Sequence, residues 1–95
     1  MTPSFSVRTT PHFDRLLKSL ARRHSEVVER YAEALNILGT DPYNRGRRHD
    51  ILKLQGVTFG DGQYRLRLGR WRFRYDISGR EVVIHYCGLR REDTY

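Results

Sequence analysis

The chain has 95 residues, enough for one domain (1–95) with a single modest core and too few for two. No apolar run approaches a membrane span, no signal-peptide pattern opens the sequence, and the lone Cys87 rules out an internal disulfide framework and fits the reducing cytoplasm. The net charge is +7 and uneven: residues 1–44 carry +1 and residues 45–95 carry +6, with Arg supplying 16 of the 18 cations. Arginine grips phosphate with a planar fork and stacks on bases, so a polyanion, most simply nucleic acid, is the expected partner. An acidic protein would satisfy the same field.

Ser4-Phe5-Ser6-Val7-Arg8 alternates and predicts a first strand with Phe5 and Val7 inward. Thr10-Pro11 then starts a helix, with Thr as N-cap and Pro at the first helical position. Phe13, Leu16, Leu17 and Leu20 follow at helical spacing, and Arg22-Arg23 suit the negative end of the helix dipole. Ser25 is the predicted cap of a second helix. Its apolar stripe is Val28, Tyr31, Ala32, Leu35 and Leu38, and Gly39 is its expected stop. These helices read as a hairpin lying on a sheet, with no chemistry of their own. Residues 44–50 form a basic loop of little expected order. Ile51-Leu52-Lys53-Leu54 is a short strand or a tight turn, and the Gly-rich stretch 58–62 is another turn.

Residues 63–75 organise the rest. Read with period two, Gln63-Tyr-Arg-Leu-Arg-Leu-Gly-Arg-Trp-Arg-Phe-Arg-Tyr75 is two strands of opposite phase. A two-residue turn at Gly69-Arg70, with Gly first, suits a type II′ hairpin. That register sets Leu68 by Trp71, Leu66 by Phe73 and Tyr64 by Tyr75 on a core face. It also sets Arg67 by Arg72 and Arg65 by Arg74 on the other. Like charges directly opposite are destabilising, and an anion lying across them reverses the sign. The plain structural alternative is a solvated face. A turn at Ser78-Gly79 leads to a third long strand, Glu81–Cys87, with Val82 by Tyr75, Ile84 by Phe73 and Tyr86 by Trp71. His85 would then stand beside Arg72. The expected class is α+β: a small antiparallel sheet with a two-helix hairpin on one face, in the order β-α-α-β-β-β.

Little else in the sequence carries chemistry. His12, His24, His49, His85 and Cys87 have no metal-ligand spacing. No Gly-rich loop leads from a strand into a helix as a triphosphate cradle does. What remains suits cleavage of RNA by its own 2′-hydroxyl attacking the adjacent phosphate. The substrate brings the nucleophile, and the protein aligns the attack, neutralises charge and moves two protons. Arginines on a rigid sheet serve the first two tasks, and His85 is a candidate for the third; its plain alternative is a strand histidine packed under a loop. Tyr95 is either a frayed terminus or a base-stacking ring. Arg90 and Arg91, and likewise Arg45, Arg47, Arg48 and Lys53, are either solvated charges or clamps on a polyanion. Arg74 belongs with the arginine face.

The residues resemble the RelE/ParE superfamily of toxin–antitoxin toxins over nearly the whole chain. The resemblance rests on Phe13, Leu16-Leu17 and Leu20, on Asp41-Pro42, and on Lys53-Leu54-Gln55-Gly56. It extends through Tyr64-Arg65-Leu66-Arg67-Leu68 and Arg72-Phe73-Arg74-Tyr75 to the closing Gly88…Arg90-Arg91-Glu92…Tyr95. It implies the sheet-and-two-helix fold and a cognate antitoxin; no cofactor and no metal are expected. In the RelE branch it implies a ribosome-dependent endoribonuclease that cuts mRNA. By resemblance Arg65 and Arg67 fall where RelE has two strand lysines. Arg72 falls on its transition-state arginine, Arg90 on a second arginine near its end, and Tyr95 on its base-stacking tyrosine. The lysine is a plausible proton acceptor in RelE, whereas arginine is effectively always protonated. Either His85 takes that part, or electrostatics carries the reaction, or this member is a poorer nuclease. The tail spacing from Gly88 to Tyr95 also differs slightly from RelE. The ParE branch, which poisons DNA gyrase and generally lacks the basic set, is the alternative. A non-catalytic basic module that binds RNA or an antitoxin is a third reading.

Overall fold

Thr10 behaves as the sequence asks. Its Oγ1 accepts from the Phe13 amide at 3.1 Å, and Pro11 opens α1 (Pro11–Arg23). The computed structural model describes residues 4–89. Before α1 runs the short strand β1 (Ser6–Thr9), and after it comes α2 (Glu26–Thr40). Ser25 stands at the N-cap of α2 but is already helical, at φ −60° and ψ −24°, and its hydroxyl caps nothing. The turn is closed by backbone instead, with the Val27 and Val28 amides donating to the carbonyls of His24 and Ser25.

The stripe of α2 is turned from the expected one. Val27, Ala34 and Leu38 are buried, Tyr31 and Leu35 pack at the margin, and Val28 and Ala32 face out. Two adjacent valines left the phase open, and small Ala34 fits where the helix lies close to the sheet. Gly39 does not stop the helix. It is buried in the last turn, and its carbonyl accepts from the Phe5 amide at 3.0 Å.

Four further strands follow: β2 (Asp50–Lys53), β3 (Tyr64–Leu68), β4 (Trp71–Ser78) and β5 (Glu81–Leu89). Their order in the sheet is β1-β5-β4-β3-β2. Three of the four pairings are antiparallel. The sheet is nonetheless mixed, because β1 lies parallel to β5 in the register Ser6↔Glu81 to Thr9↔Ile84. Both helices cover one face. The core gathers Phe13, Leu20, Val27, Ala34 and Leu38 from the helices against Leu66, Trp71, Phe73, Tyr75, Val82, Ile84, Cys87 and Leu89 from the sheet. The buried hydroxyl of Tyr75 donates to the Pro42 carbonyl at 2.7 Å, and burial raises its pKa well above the phenol range. Burial likewise pushes the Cys87 thiol up to about 12, so Cys87 is a core residue and not a nucleophile at neutral pH.

The β3–β4 hairpin has the predicted register: Arg67↔Arg72, Leu66↔Phe73 and Arg65↔Arg74. Gly69, at φ +62°, takes the first central position that a type II′ turn requires. The β4–β5 register differs from expectation in two steps. The turn is Gly79-Arg80, not Ser78-Gly79, with Gly79 at φ +60° repeating the logic of Gly69. A bulge opposite Arg74/Tyr75 then adds one residue to β5. Val82 therefore pairs with Ile77, Ile84 with Tyr75, Tyr86 with Arg74 and Cys87 with Phe73. The extra residue lets Cys87 and Leu89 face the core; an unbroken alternation would have pointed both outward.

Candidate nucleic-acid interface

Arg65, Arg67, Arg72 and Arg74 alternate with core residues, so all four stand on the face of the sheet that the helices leave bare. They are not equivalent. Arg74 turns its guanidinium to the Gly62 carbonyl, donating from Nε at 3.2 Å and Nη2 at 2.9 Å. It holds the 58–62 loop, and its charge is spent partly on that loop. Arg72 is half-buried between Arg67 on β3 and Gly88 on β5.

Arg65 and Arg67 share a counterion that the sequence did not reveal. Asp50 sits opposite Arg67 on edge strand β2. Its Oδ2 accepts from Arg67 Nε at 2.7 Å and Nη2 at 2.6 Å, and its Oδ1 lies 3.4 Å from Arg65 Nη2. One carboxylate thus bridges two guanidinium groups where like charges crowd. The signal was Asp50-Ile51-Leu52-Lys53: once this stretch is a strand, its period puts Asp50 and Leu52 on the arginine face. The same period puts Lys53 on the opposite side of the sheet, where its Nζ lies 5.7 Å from the centre of the Tyr64 ring. Lys53 therefore does not join the arginine face.

The second anion on this face is Asp76, almost fully buried. Its Oδ2 accepts from the Gly60 amide at 2.9 Å, the Gly62 amide at 3.1 Å and His85 Nε2 at 2.9 Å. Its Oδ1 accepts from the Gln63 amide at 2.9 Å. A buried carboxylate is tolerable when its lone pairs are filled in this way. Asp76 therefore fixes both the loop and the imidazole. His85 does not stand beside Arg72 as expected. Arg72 faces Gly88, and the bulge leaves His85 further along β5 beside Asp76. It also turns Tyr86 onto the arginine face opposite Arg74. The Tyr86 ring lies over Gly88, where a Cβ would collide with its hydroxyl. Tyr86 was assigned to the core from the sequence, so its presence on this face was missed.

The basic loop is better ordered than its composition implies. The Asn44 side chain bonds both the amide and the carbonyl of His49, at 3.1 and 2.8 Å. Asp41 accepts from the amides of Arg45 and Gly46 at 2.8 and 2.9 Å. Desolvation opposes the Asp41 carboxylate, but those amides and the nearby His49 and Arg45 outweigh it and hold the carboxyl below its usual range. The guanidinium of Arg45 lies over Tyr43, 5.1 Å from the ring centre, and Arg47 and Arg48 are exposed. Arg90, Arg91 and Tyr95 lie outside the described residues. Among the described residues, no three His, Cys, Asp or Glu side chains gather as metal ligands. No helix there is long and apolar enough to cross a membrane.

No family model matches this sequence, and no curated protein matches it. Solved structures do. One chain of the archaeal RelE–RelB complex from Pyrococcus horikoshii OT3 aligns at a TM-score of 0.66 and 28% identity, covering 92% of this chain and 96% of that one. The RelB–RelE antitoxin–toxin complex from Methanococcus jannaschii aligns at a TM-score of 0.50 and 19% identity, covering 88% and 91%, a likeness of fold. Two helices on one face of a five-stranded sheet, matched almost end to end by the Pyrococcus chain, give this chain a RelE-like fold.

Proposed function

We propose that this chain is the toxin of a toxin–antitoxin pair and a metal-independent endoribonuclease acting in the cytoplasm. It cuts mRNA on the ribosome through attack of a 2′-hydroxyl on the adjacent phosphate. The observation that carries the reading is the Arg67–Arg72 pair, held in register on the bare face of a RelE-like sheet. Arg67 and Arg72 neutralise the phosphorane charge, and a fixed cationic site excludes the cost of reorganising solvent at that moment. Arg65 and Arg90 position the phosphate, Tyr95 stacks on a base, and Arg45, Arg47, Arg48, Arg74 and Arg91 hold flanking phosphates. His85 is the proton carrier in this scheme. With Nε2 donating to Asp76, its Nδ1 is the atom left to exchange a proton. The bulge sets His85 further from Arg72 than the sequence implied, so electrostatics carries the larger share. The RelB chains in the two solved complexes support an antitoxin as partner.

The test is primer extension on an mRNA in a reconstituted translating ribosome. The wild-type chain is expected to cut at fixed positions within the decoding-site codon, and to cut nothing without ribosomes. Arg72→Ala is expected to abolish the cuts, a loss of at least about 100-fold, while its circular dichroism and melting stay native. Intact mRNA with wild-type protein would overturn the nuclease reading and turn attention to gyrase cleavage, the ParE activity.

Asp50 gives a second expectation. It competes with phosphate for Arg65 and Arg67, so Asp50→Asn is expected to tighten binding of a short RNA several-fold and to steepen its salt dependence. Anisotropy titrations at two salt concentrations read both. Equal affinities would place the RNA away from this corner of the sheet.

A further inference from the structure

Next to the arginines lies a groove of which the scheme above uses only His85 and Arg74. It runs between the 58–62 loop, the N-terminal end of α1 and the bulge of β5, and it has two compartments that share Thr10, Gly60 and His85. The first, a cavity of about 370 Å³, has Val83 and Pro11 among its walls and the ring of Phe59 at its rim. The second, about 400 Å³, is bordered by His12, Arg74 and Tyr86.

The charges of the two compartments differ. In the first, Arg8 and Glu81 cancel in an ion pair at 3.0 Å, and the buried Asp76 is filled by amides and His85. That compartment is apolar and close to neutral, with the imidazole in its lining. In the second, Arg74, two histidines and the positive end of the α1 dipole face one acid, Asp61. A neutral, flat, aromatic group suits the first and an anion suits the second, and a nucleotide joins the two.

Phe59 is 58% exposed. Its loop is nonetheless fastened from beneath, because Asp76 takes the amides of Gly60, Gly62 and Gln63. An exposed ring beside a cavity, on a loop whose backbone is held, suits base stacking, since the backbone needs little further ordering on binding. We propose that this groove is a second nucleotide site. It takes one nucleobase between Phe59 and Pro11 over Val83, and the adjoining phosphate at His12 and Arg74. The site deepens the ribonuclease reading, on which it rests, by holding a second nucleotide of the same RNA beside the bond that is cut, with His85 between the two.

The probe is a fluorescently labelled 2′-O-methyl RNA trinucleotide, which no 2′-hydroxyl attack can cleave, titrated against the full chain. Phe59→Ala is expected to weaken binding about tenfold or more, and Phe59→Tyr to restore it. Wild-type binding that Phe59→Ala leaves unchanged would overturn the site, and so would failure of the wild-type chain to bind the trinucleotide. The ribosome assay separates the two ideas. Phe59-dependent binding with intact mRNA keeps this site and sinks the nuclease reading. Ribosomal cleavage with a neutral Phe59→Ala sinks this site alone.

Discussion

Phe73→Ala is expected to lower the free energy of unfolding by about 3–5 kcal/mol. Phe73 is fully buried on β4, the middle strand of the sheet. It lies between Leu66 and Cys87 across its two neighbours, and its ring centre is 6.5 Å from that of Phe13 on α1. Truncation empties the junction of both sheet halves and a helix, where strands on either side limit collapse into the void. Urea denaturation measures the loss as a fall in midpoint at unchanged slope. A fall of less than about 1 kcal/mol would place Phe73 outside the core and displace the hairpin register by one residue, exchanging the arginine and core faces.

Asp76→Ala is expected to rival it, by about 3–5 kcal/mol, through a different cause. The substitution removes no large apolar volume. It leaves three amides and an imidazole that were all donating to one buried carboxylate. Hydrogen bonds to a charged acceptor are worth about 1.5–3 kcal/mol each, and part of that returns when the loop opens and water replaces the carboxylate. The signature is therefore local as well as global. Amide exchange at Gly60, Gly62 and Gln63 is expected to become fast while exchange in β3 and β4 remains the slowest in the chain. Slow exchange at those three amides, with an unmoved denaturation midpoint, would refute the role assigned to Asp76.

The sequence was most readable where two local rules agreed. In residues 63–75 the period-two alternation and the Gly69 turn specify the same register, so both the core face and the arginine face followed from them. In β5 they disagree. The apolar positions Val82, Ile84, Cys87 and Leu89 change phase at His85-Tyr86, which is the mark of a bulge, but a strict alternation had to be broken to see it. The neighbouring turn was off by one because Ser78-Gly79 reads as readily as Gly79-Arg80 until the φ preference of the first position is applied. Asp50 and Asp76 were harder. Their importance lies in contacts 9 to 17 residues away, and no local pattern encodes those. The arginines alone made the face look more nakedly cationic than it is. The fold class and helical hairpin were legible. The parallel placement of β1 was not, because four alternating residues say nothing about the direction of a neighbour.

That parallel pairing also governs when the domain can be completed. Ser6 meets Glu81, and Thr9 meets Ile84, across about 75 residues of intervening chain. During synthesis from the N-terminus, β1 leaves the ribosome first but has no neighbour until β5 is made. The other pairings join neighbours in sequence, and the β3–β4 and β4–β5 hairpins close over two-residue turns at little entropic cost. Assembly is thus local in the hairpins and distant at one edge. Translation through β5 must precede the last strand pairing, and until then a growing chain can have arginines in place on β3 and β4 but not its finished sheet.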